Sequence, residues 1–219
     1  MKKIAITLLS VSAIIAGCKK ENEPEPVHTC PTDPPSDKYT FKQSIGSYWI
    51  YESVNLDSNY NSLSSYSIDS VYIPRDTMIN GKQYFIKESV TLSGSGMTPG
   101  MLYLAPVRDS AGYIVYVNGS YIKHDDFTNI LNVYSSTIPP YTSIYRMAYK
   151  DSVVTVPAGT FSTIDYLQQI TFQDPAYTGN RIKYNHTIMA NGIGTVFKSM
   201  RFYMGSNQLG LRLLRYHIN

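Results

Sequence analysis

The chain has 219 residues, of which 43% are hydrophobic and 16% charged. That length suits one globular domain, and that balance excludes a solvated, disordered polymer. The formal charge of +3 is too small to mark a nucleic-acid binder, and tyrosine, at 20 residues, is the outlier. Tyrosine together with abundant Ser, Thr, Val and Ile points to strands, because aromatic and β-branched side chains suit a pleated surface.

The chain begins with a basic pair, Lys2 and Lys3, and then runs apolar from Ile4 to Ala16, broken by Thr7, Ser10 and Ser12. This run is too short for a membrane-spanning helix, which takes about 20 residues, and it has the shape of a secretory signal. It ends in Ile15-Ala16-Gly17-Cys18, which resembles the bacterial lipobox. The resemblance implies acylation of Cys18 and cleavage before it, so residues 1–17 are assigned to a lipoprotein signal peptide. Several acyl chains give a far more stable membrane attachment than one. Cleavage also removes Lys2 and Lys3, leaving a mature chain close to neutral.

Residues 18–38 read as a tether. Lys19-Lys20-Glu21-Asn22-Glu23-Pro24-Glu25-Pro26 is charged and proline-bearing, and Pro31, Pro34 and Pro35 follow. Such a segment cannot bury enough apolar surface to fold, and its prolines keep it extended. The lysine-then-acid run after Cys18 resembles the surface-export signal of Bacteroidota lipoproteins. It implies an outer-membrane lipoprotein, either displayed at the surface or facing the periplasm. Cys30 is then the odd cysteine, read as an idle thiol, and two cysteines cannot supply a multi-cysteine zinc site.

Residues 39–219 read as one β-domain. Period-two alternation recurs and no stretch sustains a helical period. Tyr48, Ile50, Glu52 and Val54 share one face, with Trp49 and Tyr51 on the other. Tyr84, Ile86 and Val90 alternate with Phe85, Lys87, Ser89 and Thr91. Ile164, Tyr166, Ile170 and Phe172 form the apolar side of the next clear strand. Ile182, Tyr184 and Ile188 then alternate with Lys183, Asn185 and Thr187, and Leu211 to Ile218 makes a final strand. Asn80-Gly81 and Asn118-Gly119 are hairpin signals, because both central positions of a type I′ turn need positive φ. The expectation is an all-β fold with little helix: about ten to twelve strands in a single antiparallel meander, forming a strongly curved sheet or half-open barrel.

Three segments carry a family resemblance: Gly46-Ser47-Tyr48-Trp49-Ile50-Tyr51, Val154-Thr155-Val156-Pro157-Ala158-Gly159-Thr160-Phe161 and Ala190-Asn191-Gly192-Ile193-Gly194-Thr195-Val196. Their order resembles a group of exported bacterial lipoproteins classed as domains of unknown function. That group's curved sheet resembles in turn the LolA/LolB lipoprotein carriers, whose half-barrels hold acyl chains. The motifs have structural explanations: Pro157 ends a strand, Ala158-Gly159 turns, and Gly192 and Gly194 permit a bend or bulge. Trp49, the only tryptophan, reads as a core anchor.

Chemistry is sparse. Of the four histidines, His28 falls in the tether, and His186 and His217 fall in strands without a metal-ligand spacing. His124-Asp125-Asp126 alone sets an imidazole beside carboxylates, and it reads as a solvated hairpin tip. No nucleophile, base and orienter stand together as a set, so neither enzyme activity, a metal nor a cofactor is expected. Asp69-Ser70-Val71, Asp76-Thr77-Met78, Asp109-Ser110-Ala111 and Asp151-Ser152-Val153 match a short acceptor motif resembling that of Bacteroidota O-glycosylation. Ser110 is the best-placed acceptor because it lies in an expected turn. The leading functional expectation is a non-catalytic, lipid-anchored binding or structural module. Its partners are the membrane, through Cys18, and an unidentified protein, glycan or lipid, but no nucleic acid. The alternative is a carrier of a lipid or acyl chain. A hydrolase built on His124, Asp125 and His186 ranks third.

Overall fold

The computed structural model describes residues 42–96, 104–110, 113–118, 121–123, 129–137, 140–173, 182–201 and 208–219. The signal segment, Cys18, the tether and the His124-Asp125-Asp126 run lie outside these residues. Among the described residues there is no helix. The first six strands are β1 (Tyr48–Leu56), β2 (Ser62–Ile79), β3 (Lys82–Gly94), β4 (Val107–Ser110), β5 (Tyr113–Tyr116) and β6 (Tyr121–Lys123). The second six are β7 (Asn132–Thr137), β8 (Pro140–Val156), β9 (Gly159–Phe172), β10 (Ile182–Ala190), β11 (Gly194–Arg201) and β12 (Gln208–His217).

All twelve belong to one sheet in the order β6-β5-β4-β3-β2-β1-β12-β11-β10-β9-β8-β7, the antiparallel meander expected. The chain walks outward from β1 to one edge, resumes at the other edge with β7, and walks back to β12. β12 then pairs with β1, so the first and last strands are the centre of the sheet. β6 and β7 are consecutive in sequence but stand at opposite ends of the hydrogen-bonded order. Among the described residues the ladder is therefore open.

The sheet nevertheless curls on itself. Ala158, in the β8–β9 turn, donates its backbone N–H to the Leu213 carbonyl on β12 at 3.1 Å, four strands away in the ladder. Ile114 on β5 packs against Met147, Ile164 and Met189 on β8, β9 and β10, so the two arms meet. Bulges at Ile50/Tyr51, Ile188/Met189 and Ala148/Ser152 add the local twist that such curling needs. The Pro157–Phe161 segment acts as the sequence suggests: it turns the chain, and Phe161 returns to pack edge-on against Tyr216, ring centroids 6.1 Å apart. At Asn80-Gly81 the φ angles are 49° and 72°, the left-handed pair that a type I′ hairpin requires.

The main core joins Trp49, Tyr51, Val71 and Ile73 to Val196, Leu209, Leu211 and Leu213. In two strands the structure assigns the faces that alternation leaves open. β1 is buried on both sides, with Ile50, Val54 and Leu56 as closed off as Trp49 and Tyr51. Alternation in β1 therefore does not mean one wet side. In β10 the apolar set Ile182 and Tyr184 points out and is exposed, whereas Lys183, Thr187 and Met189 point inward. Lys183 is tolerated inside because its ammonium lies 5.4 Å from the Phe172 ring centroid.

Candidate functional site: an interior cavity

Curling leaves a cavity of about 440 Å³ between the arms, walled by β1–β5 on one side and β8–β11 on the other. Its apolar wall is Val71, Leu104, Val107, Ile114, Met189 and Ile193. Its aromatic wall is Trp49, Tyr51, Tyr116, Tyr145 and Tyr166. Strand alternation places these side chains: Trp49 and Tyr51 are two apart on β1, as are Thr187 and Met189 on β10.

The polar ends of the two central aromatics are tied back into the protein. Trp49 Nε1 donates to the Ile193 carbonyl at 2.7 Å, and Tyr51 Oη donates to the Thr195 carbonyl at 2.8 Å. Both acceptors belong to the β10–β11 turn and its first strand residues, which explains why the Ala190–Val196 segment matters. With their donors satisfied, these rings offer the cavity mainly their hydrocarbon faces. Burial keeps the Tyr51 phenol protonated well above the usual tyrosine range.

Two lysines enter this lining. Lys87 Nζ sits 5.1 Å from the Trp49 ring centroid, and that ring is its one partner among the described residues. Loss of solvent pushes the Lys87 ammonium down to about 8, and the Lys198 ammonium likewise to about 8. Lys87 keeps some accessible surface, and that surface faces the cavity it lines. Among the described residues no Asp, Glu or His is part of the lining.

A smaller chamber of about 220 Å³ adjoins the first, sharing Tyr145, Tyr166, Thr187 and Lys198 with it. Tyr145 and Tyr166 stack at 5.7 Å in the shared wall. Here the polar groups of the lining bond to one another. Gln168 donates to Tyr145 Oη at 2.8 Å and to Ser143 Oγ at 3.1 Å, and accepts from Asn185 Nδ2 at 3.0 Å.

A second cluster lies on the opposite face of β9 and β10. His186 Nδ1 meets Asp165 Oδ2 at 2.5 Å, and Nε2 meets Tyr60 Oη at 3.1 Å. An ionised carboxylate only accepts, so it fixes the proton on Nδ1 and leaves Nε2 to accept from Tyr60. Asp165 Oδ1 also accepts from the Thr187 backbone N–H at 3.1 Å. Arg201 covers the Tyr60 ring at 5.3 Å and donates to the Ser58 carbonyl at 3.3 Å. The cluster thus fastens the β1–β2 turn onto β10 and β11. Asp57 shapes that turn by accepting from the backbone N–H groups of Asn59 and Asn61, each at 2.8 Å. Among the described residues no group of three or more His, Cys, Asp or Glu is placed to hold a metal ion.

Of the residues singled out from sequence, Trp49 is buried, at 3% exposure, and is also a wall of the cavity. Cys18, Cys30, His28, His124, Asp125 and Asp126 lie outside the described residues. His186 finds its partners in Asp165 and Tyr60. Ser110 is half-buried at the end of β4, opposite Tyr113. Sequence reasoning missed Lys87, Lys198 and Asp165. The available signal was spacing: Lys87 is two residues from Phe85 and Lys198 two from Met200, so each shares a face with an apolar neighbour.

Fold and cavity together define a class: an all-β, open and curled antiparallel meander with an interior cavity. Two solved structures are similar to the chain. One is a protein described as a lipoprotein from Parabacteroides distasonis, 12% identical, covering 82% of this chain and 99% of its own with a TM-score of 0.49. The other is described as an exported protein with a YmcC-like fold from Bacteroides fragilis, also 12% identical with the same coverage and a TM-score of 0.48. No family model matches the chain, so the motif series stays a resemblance. No curated protein matches it either.

Proposed function

We propose that this protein is an exported, lipid-anchored component of the cell envelope that acts as a non-catalytic binding module, with the interior cavity as its site. The cavity is the observation that carries the reading. Its volume falls in the range of small-molecule sites, roughly 300–1,000 Å³, and its lining is the expected mixture of many apolar groups and few polar ones. Export and anchoring rest on the apolar run ending in Ile15-Ala16-Gly17-Cys18. Attachment through Cys18 keeps the domain at a membrane, where amphiphiles are the most abundant small ligands.

The test has two parts. Mass analysis of the mature N-terminus should find Cys18 as the first residue with added acyl mass, and Cys18→Ser should release the protein from the membrane. Organic extraction of the purified protein should yield a co-purifying small molecule that is absent from Ile114→Trp, in which the larger side chain fills the cavity. An unmodified N-terminus overturns the anchor, and an empty wild-type protein that also ignores added amphiphiles overturns the binding site. The alternative, a carrier of a lipid or acyl chain, fits the apolar aromatic lining equally and adds one requirement: the ligand must pass to acceptor vesicles.

A further inference from the structure

We infer that the cavity takes a single-chain amphiphile with an anionic head, a carboxylate or a phosphate monoester, and that Lys87 and Lys198 supply the charge that recognises it. This rests on the cavity being the binding site and adds the chemistry of the occupant. Both lysines line the same space, and among the described residues no acidic side chain lines it with them. The lining is therefore cationic wherever these groups are protonated.

An ammonium held away from water is costly unless an anion or a set of acceptors replaces the lost hydration. Lys87 has only the face of Trp49 among the described residues. A ring face replaces part of a hydration shell, and an anionic ligand head would replace the rest. The lowered proton affinity of both amines describes the cavity without a ligand, and an incoming anion would raise it again.

The rest of the lining sets the remainder of the ligand. The larger chamber is apolar and aromatic along most of its wall, which suits a hydrocarbon chain. The smaller chamber sets Gln168, Asn185 and Ser199 beside Tyr145, Tyr166 and Met200, and its amides are already bonded within the protein, so the ammonium of Lys198 is what would hold a head group there. Lys198 stands where the two meet, at the boundary an amphiphile would straddle.

Trp49 makes the test direct, because it is the only tryptophan in the chain and forms a cavity wall. The mature chain, begun at residue 18 with Cys18→Ser so that neither the apolar Ile4–Ala16 run nor acyl chains are present, is titrated, below micelle concentrations, with dodecanoate, dodecyl phosphate, dodecanol and inorganic phosphate. Tryptophan emission should change saturably with both anionic chains, which should bind roughly ten- to a hundredfold tighter than dodecanol. Lys87→Met and Lys198→Met should each erase most of that preference, whatever they do to dodecanol affinity itself, and Lys87→Arg should restore it. Far-UV circular dichroism melts show separately that the variants are folded. Equal affinity for dodecanol and dodecanoate overturns the anionic head and leaves the cavity reading standing. Inorganic phosphate binding as tightly as dodecyl phosphate overturns the amphiphile in favour of a free anion. Silence with every chain probe removes both the inference and the binding site beneath it.

Discussion

The two faces of β9 and β10 treat buried charge in opposite ways. On the outer face Asp165 is almost inaccessible, yet each of its oxygens has a donor, from His186 and from the Thr187 backbone. Across the cavity from their inner face, on β3, Lys87 has an aromatic ring and an unfilled volume before it. A closed hydrogen-bond network fixes geometry, and here it anchors the β1–β2 turn. A desolvated cation facing open space is poor for stability, and its retention suits a ligand. Polarity alone does not mark a site. What separates the two clusters is whether the structure already satisfies them.

The largest expected effect is at the place where core and cavity coincide. Trp49→Ala should cost about 3–5 kcal/mol, measured as a fall in the denaturation midpoint followed by far-UV circular dichroism. The residue loses its buried ring and leaves the Ile193 carbonyl without its donor. A small change would mean that the ring serves the ligand alone.

Next comes the outer cluster. Asp165→Ala leaves the His186 Nδ1 donor and the Thr187 N–H without partners, and should cost about 1–3 kcal/mol. It should not alter the preference of the cavity for an anionic probe. A change in that preference would join the two faces into one functional unit.

Lys87→Met sharpens the contrast with the opposite sign. Removing a desolvated ammonium while keeping a flexible apolar chain should stabilise the empty protein by about 0.5–2 kcal/mol. Destabilisation would show instead that the contact with Trp49 is structural.

The dependence on pH follows from the same groups. Lys87 and Lys198 are pushed to about 8 in the folded protein, and unfolded lysine titrates near about 10.4. Between those values the unfolded chain binds more protons, so stability should rise with pH through that window. The phenols of Tyr51, Tyr145 and Tyr166 are all raised by burial, so their contribution is present below about 10, where unfolded tyrosine ionises, and is lost above it. Thermal melts should therefore peak near pH 9 to 10, roughly, and the rise before the peak should shrink in Lys87→Met. A flat profile from 7 to 9.5 would mean that these amines are well solvated.

The smallest effect is at the tip of the turn. Tyr60→Phe removes the donor to His186 Nε2 but keeps the ring under Arg201, and should cost about 0.5–1.5 kcal/mol. Hydrogen exchange of the Asp57–Asn61 turn should quicken while the β8–β9 hairpin is unaffected.

Much of the fold was legible because its signals are local. The Asn80-Gly81 turn, the Pro157–Gly159 reversal and the period-two strands depend on neighbours within a few residues. Alternation divides a strand into two faces without saying which one turns inward. In β10 the more apolar pair, Ile182 and Tyr184, faces out, because curling sets Thr187 and Met189 against β1 to β5. The candidate site was less legible still. Trp49 was visible as a single anchor, but Lys87 is 38 positions from it along the chain and Lys198 lies on the far arm.

The sequence by itself determined the all-β character and the meander, through strand-forming composition and turn chemistry whose energetics are set within a hairpin. It also supplies, in the Ile4–Cys18 segment and the proline-rich stretch after it, the whole argument for export and anchoring. Only the tertiary structure decided that β12 closes onto β1, that the arms curl until Ile114 reaches Met189, and that two lysines share one apolar space. Those outcomes depend on contacts between residues distant in sequence. Their free energy comes from burying surfaces that no single strand presents, so no local pattern could announce them.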